Sequence, residues 1–518
     1  MRLLHPFIIL LIGMIGFTPI VQAASSVPEQ PRIPTFEELL QRPLSLADAL
    51  NIAAEQNAVI LAARNEVEAR FGVAVQVRAI VFPKLIARSE YNIRQDSLIE
   101  ANQNREIPEA EIPEVEIPEI RILLPELGID RTFGGGTFGG NTVGGGTRPK
   151  VNNQMWNAEV RLTQSIYEGG RMLSALRQAT LIREQALLDF ESVVSDVLLN
   201  VRIAYDDAQL AELQIQLREQ SVSLLGEIIE KVRIQKAVGV ATEFEELRAR
   251  LEQNNIRSPL ATARQDAVIA KQRLVQLMGY DEPPETENDL PLELSTPLRI
   301  IKYGNSLSQA LVTADLQRPE LAAIQVAGKL GDEAIIVAKA GQKPSVQVFA
   351  SYAAVSRAQS RNIGDPLTGG IAGVQFQWPI FDGFLTRGRV SEAKARREQI
   401  ANNTDELARQ ITLQVRSEWA RMVEARNIVR IQSSNVQTGA RAVELSLIRF
   451  TTGISTQVEV LDAQTALLDS ALFYANALRN YSVAYSRFLR ATGEDLQYTT
   501  PPAKRVTVVK ETVIKRKK

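Results

Sequence analysis

The chain contains 518 residues. Its 59 lysines and arginines and 60 aspartates and glutamates give a formal net charge of −1. The chain therefore lacks the excess of basic residues that is typical of a nucleic-acid-binding protein. Cysteine is absent and His5 is the only histidine, so disulfides, zinc–thiolate sites and, once the N-terminal segment is removed, imidazole catalysis have no residues to use. These absences exclude the commonest catalytic toolkits, although they do not exclude every enzyme. We expect no enzyme, no cofactor, no metal site and no nucleic-acid partner.

The N-terminal residues have the pattern of a secretory signal peptide. Arg2 supplies a positive charge, an apolar run extends from Phe7 to Ile20, and small residues precede a cleavage site after Ala23. The alternative is an N-terminal membrane anchor, but the run is shorter than the ~20 apolar residues that a spanning helix needs. We predict that residues 1–23 are removed on export and that residues 24–43 form an extended segment.

The rest of the chain is an internal repeat, with halves at about 44–280 and 305–493. Residues 281–304, which contain four prolines, are predicted to link the halves. Residues 494–518 are predicted to form a basic tail. Matching pairs are Ser45-Leu46 with Ser306-Leu307 at an offset of 261, and Arg183-Glu184-Gln185 with Arg397-Glu398-Gln399 at an offset of 214.

The offsets differ by 47 residues, which indicates an insertion in the first half at about 97–150. It contains proline–glutamate repeats from Ile107 and a glycine-rich stretch. Gly134, Gly136 and Gly139 match Gly-x-Gly-x-x-Gly, but a dinucleotide loop needs a preceding strand and a following helix. Here a proline-rich tract precedes, and a strand-like segment follows. We predict a flexible surface loop outside the core.

Two segments of each half alternate between apolar and polar residues with the period of two that is typical of β-strands. They predict four strands per chain, each with one apolar face. Thr163 and Gln377 are predicted to lie on the opposite, polar face. An alternative is a pair of soluble hairpins packed on helices. The residues that we expect on the apolar, outward face include Leu85, Val160, Val346 and Val374.

Proline-free segments predict two very long helices, since no proline occurs between Arg171 and Val238 or between Phe381 and Thr500. At 1.5 Å per residue, the first helix would be roughly 100 Å long. Glu418 interrupts the apolar stripe of the second. The stripe of the first has the alternating spacing of three and four that is typical of a coiled-coil seam, at Val194, Val197, Val201, Ala204, Ala208, Ala211 and Ile215.

A tight turn and a return helix are predicted to follow each long helix. Gly239 and Gly453 mark the turns, and Thr242 and Thr456 are candidate N-caps of the return helices. Pro259 is expected to kink the first return helix. Because four strands cannot close a barrel and an open sheet has two exposed edges, we expect copies of the chain to close the sheet together.

These features resemble the TolC-type outer-membrane efflux proteins over about residues 44–493. The resemblance implies a mainly α fold with a small β part. It implies a trimeric α-helical barrel of long coiled-coil helices and a twelve-stranded transmembrane β-barrel with four strands per chain. The motifs that carry it are Leu44–Leu50 (LSLADAL), Ile166–Arg171 (IYEGGR), Ile380–Gly383 (IFDG) and Phe450–Gln464 (FTTGISTQVEVLDAQ).

The resemblance also implies a function. The protein would be the outer-membrane exit duct of a tripartite efflux or type I secretion system in a Gram-negative bacterium. Its implied partners are two further copies of itself, a periplasmic adaptor, an inner-membrane RND, ABC or MFS pump, and outer-membrane lipid. An alternative is an exported coiled-coil structural or adhesive protein, which would explain the helices but not the matched hairpins.

The resemblance assigns roles at the tip of the long helices. By their positions after the turn glycines, Glu245, Glu459 and Asp462 correspond to acidic residues that line the closed entrance. Three copies would form a ring of carboxylates that attracts cations. The alternative is solvated surface charge, and a periplasmic enzyme built on these carboxylates is the weakest interpretation. The implied turn and gate residues are Gly239, Gly453 and Phe450, which stands in place of a gate tyrosine.

Overall fold

A computed structural model of the protein describes residues 35–95, 120–124, 129–133, 154–239, 241–280, 290–356 and 366–494. The predicted signal peptide, most of the insertion and the tail from residue 495 lie outside the described residues. The helices are α1 (Phe36–Leu40), α2 (Leu46–Gln56), α3 (Ala58–Arg78), α4 (Arg171–Ala237), α5 (Glu243–Met278), α6 (Leu307–Gln317), α7 (Pro319–Lys339), α8 (Leu385–Thr451) and α9 (Gln457–Thr492). The strands are β1 (Lys84–Ile93), β2 (Ile120–Leu124), β3 (Ile129–Phe133), β4 (Gln154–Glu168), β5 (Ser345–Val355) and β6 (Leu367–Gln377).

The two halves have the same order and length of helices. Helices α2 and α3 correspond to α6 and α7 at an offset of 261, and α4 and α5 correspond to α8 and α9 at an offset of 214. Each long helix contains 67 residues and each return helix contains 36. The repeat in the sequence is therefore a repeat of the structure.

The four long strands form one antiparallel sheet in the order β1-β4-β5-β6, so that β1 and β6 are its edges. Residues that pair directly across strands have side chains on the same face. The register pairs Ala87 with Val160, Val160 with Tyr352, and Val348 with Val374. The predicted apolar face, with Leu85, Val160, Val346 and Val374, is confirmed as one face. Leu85 and Val374 are both 69% exposed, so the described chain leaves much of this face uncovered.

A second, two-stranded sheet lies within the predicted insertion. Strands β2 and β3 pair antiparallel, with Ile120 opposite Phe133. The prediction of a flexible loop was therefore wrong for residues 120–124 and 129–133. The sequence cue for these strands was a short alternating segment between the proline-rich and glycine-rich tracts. Adjacent strands can pair as a hairpin here because their hydrogen bonds need no contact with the core.

The seam predicted on α4 is buried at Val197, Val201, Ala204, Ala208 and Ala211. The corresponding stripe of α8 is interrupted as predicted, because Glu418 is buried within it and accepts a hydrogen bond from Arg421 at 2.9 Å. Pro259 lies inside α5, which continues from Glu243 to Met278 without a break. Small side chains along the α4 seam, at Ala204, Ala208 and Ala211, allow close packing of this helix.

Two segments predicted to be irregular pack on the helical core. Residues 24–43 are not extended throughout, because Thr35 and Glu38 form a capping box that begins α1. In the linker, Leu290 and Leu292 are buried, and Leu294 forms a bridge with Leu44. The linker thereby joins the start of the first half to the start of the second.

Helices α4 and α9, which belong to different halves, enclose a buried carboxyl group. Burial raises the pKa of Asp206 to about 6, although a hydrogen bond with Ser482 and the charge of Arg202 lower it. The neighbouring Asp207 is more exposed and pairs with Arg479 of α9 at 2.6 Å. Near neutral pH, the buried charge of Asp206 therefore weakens the packing of α4 against α9, whereas the ion pair of Asp207 strengthens it.

We expect Asp206→Asn to stabilise the fold above about pH 6. The pKa of Asp206 is higher in the folded state than its ordinary value of 3.8, so stability is lost as the pH rises from the ordinary pKa through the folded one. The variant should avoid this loss, which is up to about 3 kcal/mol at neutral pH. The measurement is the free energy of unfolding from circular dichroism across this pH range. Asp207→Asn is the matched control and should gain nothing; identical pH profiles for Asp206→Asn and the wild type would contradict the prediction.

Two glycines in the same left-handed conformation should differ in their sensitivity to alanine. Gly453 has φ +75° with open space around it, whereas Gly279 has φ +91° and a Cβ there would lie 2.6 Å from the carbonyl oxygen of Gln56. Gly453→Ala should lower the free energy of unfolding by about 1–2 kcal/mol, because alanine is strained in this backbone conformation. Gly279→Ala should cost more, because α2 would have to move. Equal losses of unfolding free energy would contradict this difference.

Candidate functional site at the helical tip

The predicted site lies where each long helix turns back. We call the turn between α4 and α5 the first tip, and the turn between α8 and α9 the second tip. Gly239 and Gly453 have φ values of +81° and +75°, in the left-handed region that ends many helices. Both turns are therefore where the sequence predicts them, and the two Thr residues that follow are the N-caps of α5 and α9.

At the first tip, the carboxylate of Glu245 caps α5. The backbone N–H of Thr242 donates to Glu245 Oε2 at 2.7 Å and the Thr242 hydroxyl donates to it at 3.0 Å, while the N–H of Glu245 donates back to that hydroxyl at 3.3 Å. This capping box satisfies backbone donors at the helix start. Glu245 therefore has a structural task, and its place in an acidic ring stays a prediction.

At the second tip, the corresponding carboxylate forms an ion pair across the turn. The side chain of Thr456 makes no capping hydrogen bond, and Arg449 Nε lies 3.3 Å from Glu459 Oε1, with both side chains about half exposed. Asp462 lies one helical turn further along, is exposed, and forms no ion pair with a described residue. Spacing of three residues places Glu459 and Asp462 on one side of α9.

The first tip also carries an ion-pair cluster that the sequence analysis missed. Glu246 accepts hydrogen bonds from Lys236 at 3.0 Å and from Arg250 at 2.6 Å. These two bonds lower the pKa of Glu246. The pair with Arg250 was detectable from its spacing of four residues on one helix, whereas the pair with Lys236 depends on the turn. Each tip is therefore crossed by one cation–carboxylate pair.

Phe450 is half-buried and packs against a small hydrophobic cluster just behind the tips. Because this cluster draws residues from both hairpins, it holds the first and second tips together. Phe450 has no hydroxyl group to donate, and its role as a gate residue stays a prediction. The buried members of the cluster are Leu225, Ile228, Val232, Ile256, Val460 and Leu461.

Polar contacts also join the hairpins behind the tips. Gln464 Nε2 donates to Ser221 Oγ at 3.3 Å, and the Thr465 hydroxyl donates to Glu252 Oε1 at 3.4 Å. Gln457 is buried, and neither atom of its amide has a partner among the described residues. Separating the hairpins would cost the free energy of the two hydrogen bonds. It would also let water bond to the Gln457 amide, which would recover part of that free energy.

The described ranges contain no group of three His, Asp or Glu side chains placed to hold a metal ion. None of the helices in these ranges is both long enough and apolar enough to cross a membrane. In the described part of the chain, Glu245 makes no hydrogen bond or ion pair with Glu459 or Asp462. The chemistry that the tips offer is therefore that of exposed charge and of ion pairs spanning the turns.

Comparison with known proteins agrees with this architecture. The model of the family "Outer membrane efflux protein" matches residues 122–280 and 310–494. The outer membrane efflux protein BepC of Brucella suis is 22% identical over 338 residues, which cover 64% of this chain and 71% of BepC. The outer membrane protein TolC of Escherichia coli is 23% identical over 398 residues, which cover 72% of this chain and 75% of TolC.

The fold is also that of a known channel. The crystal structure of the CmeC outer membrane channel of Campylobacter jejuni matches with a TM-score of 0.64 at 15% identity, covering 89% of this chain and 88% of CmeC. The family model spans about two thirds of the 518 residues and falls in both halves of the repeat. This chain therefore belongs to the outer membrane efflux protein family, which places it in the outer membrane as an exit duct rather than as an exported scaffold.

Proposed function

We propose that three copies of this chain form one continuous conduit across the periplasm and the outer membrane. The observation that supports this most strongly is the four-stranded sheet with two open edges, joined directly to helices of 67 residues. In lipid, every unpaired backbone group costs several kcal/mol, so that a sheet must close. Three copies supply twelve strands, which is the number that the TolC-type resemblance implies.

The long helices suit the periplasmic part of such a conduit. At 1.5 Å per residue, a 67-residue helix is roughly 100 Å long. Side chains along its seam are small at Ala204, Ala208 and Ala211, which favours close helix packing around a hollow centre. We infer no catalytic role, because the family consists of channel proteins and the candidate carboxylates lie on exposed helix ends.

The partners that we propose are a periplasmic adaptor and an inner-membrane pump of the RND, ABC or MFS class. They follow from family membership and from the chemistry of the tips, where Phe244, Leu247 and Ile454 are exposed apolar side chains that a partner would cover. The conduit would pass substrates that the pump has already selected. Efflux of small molecules and secretion of proteins both fit this role.

At the tip, we propose that Glu459 and Asp462, together with Glu245, form a cation-attracting ring when three chains assemble. Like charges that approach in a narrow entrance bind counter-ions more strongly than isolated surface charges do. Arg449 neutralises part of the Glu459 charge in the state described here. Opening would require a partner that binds the open entrance better than the closed one.

The double variant Glu459→Gln, Asp462→Asn should lose cation preference, with the permeability ratio of cations to anions falling by about threefold or more because the ring charge is removed. Single-channel reversal potentials in a salt gradient measure this ratio, and block by multivalent cations should weaken in parallel. Asp469→Asn, an exposed carboxylate two turns further along α9, is the control and should change neither. A double variant with unchanged selectivity would identify these carboxylates as ordinary surface charges.

The proposed placement of the sheet in the membrane predicts a difference between its faces. Val160→Arg or Val374→Arg should lower the free energy of unfolding by about 2–4 kcal/mol, as arginine does at lipid-facing positions of membrane barrels. Arginine at Thr163 or Gln377, on the opposite face, should be tolerated. The measurement is the folded fraction in lipid vesicles across a urea series. Equal sensitivity of the two faces would count against the membrane placement.

A further inference from the structure

A polar cavity lies where α4, α7, α8 and α9 meet, and we call it the mid-helix cavity. Its volume of about 440 Å³ lies in the range of ~300–1,000 Å³ that is typical of small-molecule sites. Asp196 lies 25 residues after Arg171, where α4 begins, so the cavity is roughly 38 Å along that helix from the sheet. Six charged side chains line the cavity, namely Asp196, Arg318, Glu320, Glu418, Arg487 and Arg490.

Two of the carboxylates at the cavity are neutralised by two arginines. Asp196 accepts a hydrogen bond from Arg490 Nε at 2.7 Å. Glu320 pairs with Arg490 and with Arg318, whose Nε lies 3.0 Å from Glu320 Oε2. Arg490 is only 7% exposed, yet its Nη1 has no hydrogen-bond partner among the described residues. Because a buried donor without a partner is costly, this nitrogen is a donor that a ligand can use.

The remaining charges leave one arginine without a partner. Glu418 Oε1 pairs with Arg421 at 2.9 Å, whereas Glu418 Oε2 is buried and has no hydrogen-bond partner among the described residues. Arg487 is exposed, and its side chain forms no hydrogen bond or ion pair with a described residue. With Arg421 included, four arginines and three carboxylates give the cluster a net charge of +1. This charge is that of Arg487.

Arg318 also makes a structural contact that does not need its charge. Its Nη1 donates to the carbonyl oxygens of Arg490 at 3.0 Å and Ala491 at 3.3 Å, at the end of α9. In the first half, Asn57 is the equivalent residue at an offset of 261, and its Nδ2 donates at 2.7 Å to the carbonyl oxygen of Leu277. Leu277 is the equivalent of Ala491 at an offset of 214. A neutral side chain therefore suffices to hold the end of the return helix.

The other charged positions show the same contrast between the halves. Only Arg487 has a charged equivalent, which is Arg273. The first half forms the same helices without the other charges, and buried ion pairs are often no more stabilising than apolar packing. Stability alone thus gives no reason for the charges of the mid-helix cavity. The equivalents of Glu320, Glu418, Arg490 and Asp196 are, in that order, the uncharged residues Val59, Ala204, Gln276 and Gln410.

We propose that the mid-helix cavity binds a small soluble molecule through a carboxylate or phosphate group, held by Arg487 and by the free Nη1 of Arg490. Guanidinium groups match the oxygens of either group and bind them through charge-assisted hydrogen bonds. The net positive charge and the unused donor both favour an anion, and the distance from the sheet favours a ligand from solution over a lipid headgroup. This binding site goes beyond the proposed conduit function and does not depend on it.

Isothermal titration calorimetry of the full-length protein in detergent tests this proposal. The probes are inorganic phosphate and succinate at constant ionic strength, and the tighter binder identifies the group that the site takes. We expect saturable binding of at least one probe. Arg487→Gln should weaken this binding by about tenfold, because a charge-assisted hydrogen bond is lost. Arg273→Gln, the equivalent change in the first half, is the matched control and should leave the affinity unchanged.

Glu418→Gln provides a second measurement with the opposite sign. The unpartnered carboxylate oxygen of Glu418 lies at the same cavity, and its negative charge opposes an incoming anion. The variant should therefore bind the probe about threefold more tightly. A purely structural role of the charge cluster predicts no such gain, so unchanged or weaker binding would contradict the assigned site.

Three further results would overturn the proposal. They are the absence of saturable binding to the wild type, equal affinities of the wild type and Arg487→Gln, and equal losses in Arg487→Gln and Arg273→Gln, which would indicate unspecific attraction to surface arginines. None of these results bears on the conduit, because the conductance of the same preparations in planar bilayers measures that function separately.

Discussion

The backbone N–H and C=O groups along the free edges of β1 and β6 need hydrogen-bond partners, and this requirement connects most features of the molecule. A four-stranded sheet with an uncovered apolar face cannot satisfy it within one chain. Pairing of β6 with β1 of the next copy would satisfy both edges at once, and it would fix the helices below the sheet in the same circular order. The length of α4 and α8 and the small side chains on the seam of α4 fit this arrangement, because the helices would pack side by side around a closed wall.

The halves are joined most firmly in the middle of the helical region. Arg490 of α9 donates to Asp196 at 2.7 Å and also bonds Glu320 and Ser192, so that a partly buried polar cluster ties α4 to α7 and α9. Burial raises the pKa of Glu320, but hydrogen bonds from Arg490 and Ser192 outweigh it and hold the pKa at about 2. A buried carboxylate of this kind stays charged at any physiological pH, and removing one partner is strongly destabilising.

The tips are held differently. In each of their ion pairs, Lys236 with Glu246 and Arg449 with Glu459, the cationic side chain is more than a third exposed, and pairs at the surface contribute little to stability. Behind them lie a small hydrophobic cluster, two polar contacts between the hairpins and the buried amide of Gln457, which has no partner among the described residues. A firm middle and weakly held ends favour movement of the tips without unfolding of the long helices. The two halves thus share one backbone repeat, but their side chains have diverged at the tips.

The sequence by itself determined the repeat, the helix ends and the face of each long strand, because these depend on local patterns: periodicity, capping residues and turn glycines. It also indicated the family, through motifs at the junctions and the second tip. It did not reveal the hairpin of β2 and β3 or the packed linker, since low-complexity neighbours and prolines obscured them. Only the tertiary structure decided which charges pair. Lys236 reached Glu246 and Arg449 reached Glu459 across the turns, because partners ten residues apart meet only once the chain has reversed direction.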